Sequence, residues 1–302
     1  MIKIMTNEDK LLLLQAIVKC PDEEKKIIIK RMVSEDLPIY RYRHLGDKDD
    51  QRKREKNSLK MMLPWASRYD MLDDQNEGIT TSTSSGDYAE AFGELRRERN
   101  TPHQLQIKLK NAKDKKQRIE IFRTFNMSRN SLGNQQFREV NNKSITSRLR
   151  DFRKGYSMVC FTENSPNESN NLWDIYAKGS GFAIEYSLFD ILDAGYIIAP
   201  IYYTDSRSIA DIDRMFQDES YLFLTKTKCG IDHDTKEERN WESQNEWRII
   251  KTNNRNKTGH LLEKPIQPIR VYTKDTLYGK EIEDVINEMN QQVSKRIEFV
   301  PL

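Results

Sequence analysis

Cysteine, glycine and proline are all scarce in this chain of 302 residues. The 3 Cys are odd in number and far apart, at positions 20, 160 and 229, so the sequence predicts neither a disulfide framework nor a zinc knuckle. With only 12 Gly and 9 Pro, the chain is not collagenous or of broadly low complexity. The 11 Phe, 13 Tyr and 4 Trp indicate a folded core rather than wholesale disorder.

Long hydrophobic runs are absent as well. No apolar stretch is long enough to cross a bilayer, and hydrophobic residues make up only 36% of the chain, against 32% charged residues. The first residues, MIKIMTNEDK, lack the basic and then apolar pattern of a signal peptide. We therefore expect a reduced, soluble, cytoplasmic protein with no membrane partner.

Several catalytic motifs are missing. The sequence contains no GxGxxG after a strand, no GxxxxGK[ST], no HExxH and no GxSxG. Its 4 His share no metal-ligand spacing, so no metal site is predicted. These absences argue against a Rossmann dehydrogenase, a P-loop kinase, a zinc protease and an α/β-hydrolase. A Ser or Cys nucleophile assembled from distant residues stays open.

Charge is unevenly distributed along the chain. Residues 94–154 hold 17 Lys and Arg against 6 Asp and Glu, a local charge of +11 that leaves −8 for the rest of a chain of net charge +3. Such segregation is typical of surfaces that bind RNA, DNA or phosphate. The alternative is a solvated helical hairpin whose lysines only keep it soluble. A nucleic-acid partner through this segment is thus one of two interpretations.

The hydrophobic periodicity predicts an α+β protein with a mixed or antiparallel sheet. Residues 1–36 are predicted to form N-terminal helices, and 37–302 a single α+β domain with a basic helical insertion at about 87–154. Residues 47–56 read as a charge-dense turn, and 209–228 as a helix. Strands are predicted at 37–43, 157–162, 181–186, 196–203, 244–251, 269–273 and 297–300.

The first candidate site is the strand containing Tyr40, Arg41, Tyr42 and Arg43. Alternation places the two arginines on one face and the two tyrosines on the other. Two arginines on one face can clamp an oxyanion or phosphate if that face lines a cleft. The alternative is an exposed edge strand with surface arginines.

The second candidate site combines the strand that ends at Thr162 with the short helix containing Trp173 and Tyr176. Trp173 and Tyr176 are three residues apart and therefore share a helix face. Strand, polar loop, aromatic helix and glycine turn could together form one wall of a pocket. The alternative is that both aromatic side chains are core packing.

The third candidate site is the segment W-E-S-Q-N-E-W-R at 241–248. If the chain is extended from Gln244 onwards, Gln244, Glu246 and Arg248 share one face. An amide and a carboxylate side by side suit a ribose diol and can stabilise positive charge at an anomeric carbon. The alternative is a solvent-facing stripe in which Glu246 pairs with Arg248, which contributes little energy.

These motifs, together with their order along the chain, resemble a large bacterial family catalogued as a domain of unknown function, number 2971. The resemblance covers Leu37 to the C-terminus, and W-x-x-Y-A-x-G and E-W-R are its most specific parts. The family usually has Glu at the position of Gln244. It also carries Asn-Asp-Pro near the second strand, where this chain has Met-Leu-Asp-Asp at 71–74.

The layout is also similar to that of ADP-ribosyltransferases, a likeness at the level of fold. It implies that Arg41 or Arg43 grips a pyrophosphate, that Thr162 supplies the middle hydroxyl and that Tyr176, on the same helix as Trp173, stacks on nicotinamide. Gln244 and Glu246 would be the late catalytic pair: Glu246 would hold the ribose and stabilise an oxocarbenium ion, while Gln244 orients the acceptor. The resemblance thus implies an NAD-cleaving or ADP-ribosylating bacterial effector, such as a toxin or phage-defence protein, with NAD as substrate and a protein or nucleic acid as acceptor.

Two other functions stay open. One is a metal-dependent nuclease that uses Asp73, Asp74 and Glu77, although a Gly/Ser/Thr-rich loop is a poor place for a rigid metal site. The other is a non-catalytic module that binds nucleic acid or a phage protein through the basic segment. Salt-dependent binding without turnover would distinguish the latter.

Overall fold

The computed structural model describes residues 5–33, 36–46, 48–72, 102–121, 154–178, 181–205, 219–231, 238–253, 257–274 and 276–302. The chain divides into two compact units. The first consists of Met1–Gln75, Arg153–Asp205 and Phe223–Leu302, and the second of Asn76–Phe152 and Ser206–Leu222. All three candidate sites belong to the first unit.

Helices and strands are interspersed along the chain. The helices with both ends in the described ranges are α1 (Asn7–Ile17), α2 (Asp22–Val33), α3 (Asp49–Lys60), α4 (Pro102–Lys110), α5 (Asn170–Tyr176), α6 (Leu188–Asp193) and α7 (Thr276–Asn290), and residues 115–121 are helical as well. The strands are β1 (Pro38–Arg43), β2 (Trp65–Arg68), β3 (Tyr156–Thr162), β4 (Phe182–Ser187), β5 (Ile198–Pro200), β6 (Tyr202–Thr204), β7 (Thr225–Thr227), β8 (Cys229–Ile231), β9 (Glu238–Asn240), β10 (Glu246–Thr252), β11 (Gly259–Leu261), β12 (Arg270–Thr273) and β13 (Glu298–Pro301). Short 3₁₀ turns cover Tyr69–Met71, Glu219–Leu224 and Glu242–Gln244.

A nine-stranded sheet forms the centre of the first unit. Its main order is β11-β2-β3-β1-β4-β12-β13, and β10 joins it by pairing with β3 and β5. Every pairing in it is antiparallel except that of β12 with β13. The other strands within the described ranges form two small sheets, β6–β7 and β8–β9. The predicted α+β class with a mixed, mainly antiparallel sheet is confirmed, whereas a likeness to the ADP-ribosyltransferase fold stays a prediction.

The register of the sheet decides which side chains can meet. Tyr40 of β1 pairs with Thr162 of β3, and Thr162 pairs with Glu246 of β10. Directly paired residues project from the same face of an antiparallel sheet. Tyr40, Thr162 and Glu246 therefore share one face, and Arg41 and Arg43 must lie on the other.

Two local predictions are wrong. The segment predicted as a charge-dense turn is helix α3, because Leu59 and two polar residues, Glu55 and Ser58, form a buried stripe at helical spacing. Where a helix is predicted over 209–228, the structure has a 3₁₀ turn at Glu219–Leu224 and strand β7, and residues 209–218 lie outside the described residues. Tertiary pairing of β7 with β6 outweighs local propensity there.

The basic segment lies largely outside the described residues. Within it the structure describes 102–121, which contain helix α4. The prediction of a nucleic-acid surface there is therefore untested. No helix in the described ranges is long and apolar enough to span a membrane.

Candidate functional site

The segment around Gln244 and Glu246 is a turn followed by a strand, and the prediction of an extended segment from Gln244 is wrong. Gln244 ends the 3₁₀ turn, and Asn245 adopts a left-handed conformation with φ 46° and ψ 53°. Strand β10 begins only at Glu246. Asparagine tolerates this conformation better than most residues, so the turn is locally compatible with the sequence. Glu246 and Arg248 do share a face, as predicted, but Gln244 does not continue it.

The end of β3 is joined to this turn by hydrogen bonds. The Thr162 hydroxyl donates to the carbonyl of Gln244 and accepts from the amide of Asn164, 3.0 Å away. Asn164 Nδ2 donates to the carbonyl of Ser243 at 2.6 Å. Thr162 is therefore held against Gln244, and its hydroxyl is engaged with the backbone.

Gln244 also contacts helix α5. Its Nε2 donates to the Tyr176 hydroxyl at 3.0 Å. This bond fixes the orientation of the amide, because the NH₂ group must face Tyr176. Oε1, the hydrogen-bond acceptor, then lies on the side away from Tyr176. Gln244 is thus bonded to two distant segments, through its backbone carbonyl to Thr162 and through its side chain to Tyr176.

Gln244 forms part of the wall of a polar cleft of about 570 Å³. The cleft lies between the 164–175 segment, which includes part of α5, and the 238–244 segment. Its remaining lining residues are Asn164, Glu168, Ser169, Asn171, Leu172, Asp174, Ile175, Glu238, Arg239, Asn240 and Ser243. Three carboxylates and one guanidinium make the lining acidic overall, with amides and hydroxyls between them. A cleft of this volume is in the range of small-molecule and cofactor sites.

Glu246 is buried and fully engaged. Its carboxylate accepts from Arg248 Nε at 2.6 Å and Nη2 at 3.0 Å, and Lys226 Nζ lies 3.6 Å from Oε2. Burial by itself would raise the pKa of Glu246, but Arg248 and Lys226 outweigh burial and lower the pKa to about 2. The Glu246–Arg248 pair of the alternative interpretation is present, but it is buried rather than solvent-facing.

Trp173 lies in the aromatic core on the same face of the sheet. Its ring meets Tyr42 edge to face, with centroids 5.3 Å apart, and its Nε1 donates to the carbonyl of Pro166 at 2.9 Å. Tyr40, Tyr272 and Leu172 belong to the same cluster, and Tyr176 packs against it. Trp173 is 1% exposed, so it supports the cleft wall and does not line the cleft.

Arg41 and Arg43 lie on the opposite face, away from the cleft. Arg41 donates to the carbonyl of Trp65 at 2.6 Å, and Arg43 makes a two-pronged contact with Glu55 of α3 at 2.6 and 2.9 Å. Burial and the neighbouring Arg43 lower the pKa of Arg41 to about 10. The predicted alternation on β1 is confirmed, and it separates both arginines from Tyr176 and Gln244.

Sequence reasoning did not identify two charged residues, Lys10, which donates to Asn245 beside Gln244 at 3.1 Å, and Arg239, which lines the cleft. Lys10 had a detectable signal, because it shares the buried stripe of α1 with Leu13, Leu14 and Ile17 at helical spacing. Arg239 had none, since β9 is a three-residue strand with exposed residues at both ends.

Among the described residues no group of three His, Cys, Asp or Glu side chains could hold a metal ion. Asp73, Asp74 and Glu77, named for the nuclease alternative, lie outside the described residues. No family model, no curated protein and no solved structure matches the chain. The resemblance to the bacterial family is therefore still a prediction.

Proposed function

We propose that the polar cleft binds NAD and that the protein cleaves its nicotinamide–ribose bond, passing ADP-ribose to an acceptor or to water. The observation that carries the proposal is that Gln244, which lines a polar cleft of about 570 Å³, is bonded to Thr162 and Tyr176 and directly precedes the turn into Glu246. These four residues come from three segments, the end of β3, helix α5 and the late Q-x-E motif, which occur in the order that the resemblance to ADP-ribosyltransferases implies. Because the motifs resemble a bacterial family, we further propose that the protein is a cytoplasmic effector, such as a toxin or a phage-defence protein.

The carboxylates of the cleft suit the bond-breaking step of this reaction. In the departure step the C–N glycosidic bond breaks, the electron pair leaves with neutral nicotinamide, and positive charge develops on the ribose. Carboxylates of Glu168, Asp174 and Glu238 surround the space and would stabilise that charge. Arg239 is the lining group that can pair with a pyrophosphate, in place of Arg41 or Arg43.

Gln244 is the residue we assign to the substrate. Its amide is oriented by Tyr176, so Oε1 can accept a hydrogen bond from a ribose hydroxyl or from the attacking acceptor. The acceptor hydroxyl or water forms the new bond from its oxygen to the anomeric carbon and passes its proton to solvent water. Glu246 is assigned a positioning role, because Arg248 and Lys226 occupy its carboxylate.

The test is nicotinamide release, followed by mass spectrometry, from NAD incubated with the purified protein and a bacterial lysate. We expect Gln244→Ala to lower release at least tenfold and Tyr176→Phe to lower it severalfold. Gln291→Ala removes an exposed glutamine outside the cleft lining, and Tyr278→Phe removes a hydroxyl that contacts Arg52 of α3. Both controls should behave as wild type.

The result that overturns the proposal is equally definite. If the folded wild-type protein releases no nicotinamide with lysate proteins and nucleic acids present, the glycosidic reaction is excluded. The +11 charge of residues 94–154 would then favour a non-catalytic nucleic-acid module. That function is recognised by binding that weakens steeply with salt and is unchanged in Gln244→Ala.

A further inference from the structure

The left-handed residue Asn245 connects the two halves of the candidate site. Gln244 before it lines the cleft, and Glu246 after it enters the buried ion pair with Arg248. The left-handed conformation costs asparagine less than most residues, but the chain reverses there only if the turn is held in place. The groups that bond to Asn245 therefore help to fix the backbone that carries Gln244.

Asn245 is held by its side chain from two sides. Its Oδ1 accepts from Lys10 Nζ at 3.1 Å, and its Nδ2 donates to Asn164 Oδ1 at 3.1 Å. Its carbonyl accepts from the amide of Glu163 at 3.2 Å. Lys10 belongs to α1, 235 residues away in sequence, so this contact depends on the N-terminal helix being in place.

The Lys10 ammonium is deeply buried. Lys10 is 2% exposed, and its Nζ lies 3.9 Å from Oε1 of Glu163, whose side chain is inaccessible to solvent. Burial lowers the pKa of Lys10 and raises that of Glu163, each opposed by the charge of the other. Glu163 also accepts from Trp247 Nε1 at 2.7 Å, so the pair is tied to β10. Burying an ammonium costs desolvation free energy, which its ion pair and hydrogen bonds must offset. The contacts of Lys10 with Glu163 and Asn245 supply that compensation.

Helix α1 reaches the same segment by a second route. Asn7 Nδ2 donates to the carbonyl of Tyr203 at 2.6 Å, and the amide of Tyr203 donates to Asn7 Oδ1 at 2.9 Å. The Tyr203 hydroxyl then accepts from the amide of Glu246 at 3.1 Å. Consecutive residues of the site, Asn245 and Glu246, are thus both tied to the start of α1.

We infer that Lys10 is a positioning residue, which holds the Asn245 turn and through it the orientation of Gln244 in the cleft. Residues 5–17 are then part of the functional site rather than an appended helix. An effect of Lys10 on NAD cleavage rests on the proposed function, whereas its effect on the conformation of the Asn245 turn does not.

The test removes both buried charges together, in the double variant Lys10→Met and Glu163→Gln. No uncompensated charge is left behind, and the new side-chain amide at position 163 can still accept from Trp247. We expect amides of 243–246 to exchange with deuterium at least tenfold faster, while the urea midpoint stays near that of wild type. For nicotinamide release we expect kcat to fall about tenfold with KM for NAD within twofold. Lys30→Met, which removes a surface ion pair with Asp193, is the matched control.

A second variant keeps the inference testable if the double variant does not fold. Asn245→Gly retains the left-handed backbone but removes both side-chain bonds, and should reproduce the faster exchange and the lower kcat. Unchanged exchange of 243–246 in whichever of these variants folds overturns the inference. If wild type releases no nicotinamide, the proposed function fails separately, and the exchange data alone decide the role of Lys10.

Discussion

Glu246 and Arg248 form a two-pronged ion pair on one face of β10, with Nε–Oε1 and Nη2–Oε2 distances of 2.6 and 3.0 Å. Arg248 is 1% exposed, and its Nη1 donates to the carbonyl of Phe223 at 3.0 Å. The carboxylate at the position of a predicted catalytic glutamate is therefore neutralised by the next residue on the same face of its own strand. This relationship changes how a mutation at Glu246 should be interpreted.

Glu246→Gln is expected to destabilise the protein by about 3–5 kcal/mol, because it leaves the buried Arg248 without its charged partner. Urea unfolding measures the loss. Glu281→Gln, which removes a half-exposed partner of Lys56, should cost less than about 1 kcal/mol. A Glu246→Gln protein of wild-type stability that no longer releases nicotinamide would instead make Glu246 catalytic.

Acid should destabilise the protein through the same group. The pKa of Glu246 is about 2 in the folded protein and 4.5 as its ordinary value. The unfolded chain therefore takes up the proton first, and the stabilisation is complete above about pH 4.5 and lost as the pH falls toward 2. A shift of this size corresponds to about 3 kcal/mol.

Urea midpoints at pH 6, 4 and 3 measure this loss. Glu55, whose pKa is also lowered, contributes in the same direction, so the comparison must be made against a variant. Glu246→Gln should show a smaller loss between pH 6 and 3 than wild type. Equal losses in the two proteins would place the acid sensitivity elsewhere.

Much of the sheet could be predicted because its strands carry a local signal. The alternation in residues 37–43 predicted both β1 and the separation of Tyr42 from Arg43 onto opposite faces, and the apolar run before Thr162 predicted β3. Helix α5 followed from its sequence as well. These elements need only local periodicity, which the sequence contains.

The arrangement of the site could not be predicted in the same way. Whether the arginine face of β1 meets α5 depends on which side of the sheet α5 packs, and that is decided by long-range pairing. Likewise, the break between Gln244 and Glu246 arises from Asn245, whose turn is held by Lys10 from a helix 235 residues away. Interactions between residues so far apart in sequence leave no periodic pattern in either segment.

Trp173 is expected to stabilise the cleft wall from behind. Trp173→Phe removes the bond from Nε1 to the carbonyl of Pro166 and part of a ring packed against Tyr42, which should cost about 1–3 kcal/mol. It should also speed amide exchange in 164–169, because Pro166 belongs to the loop that lines the cleft. Tyr278→Phe is the control, since Tyr278 contacts α3 on the other face. Unchanged exchange in 164–169 would mean that the loop is held without Trp173.

The last prediction separates the two ways in which NAD could be held. If the pyrophosphate pairs with Arg239, Arg239→Lys should raise KM for NAD about tenfold, because lysine cannot reproduce a two-pronged contact. Arg43→Lys should leave KM within twofold and instead lower stability by about 1–3 kcal/mol, since its bonds go to Glu55. Steady-state kinetics with urea unfolding on both variants measure the two effects side by side.

The reverse result has an equally clear meaning. A raised KM in Arg43→Lys with an unchanged KM in Arg239→Lys would place the nucleotide on the arginine face of β1, as the resemblance to ADP-ribosyltransferases implies. Because alternation on β1 puts that face opposite Thr162 and Gln244, NAD could not then contact both sets of residues in this fold. The pair of variants therefore tests where NAD binds, independently of the identity of the acceptor.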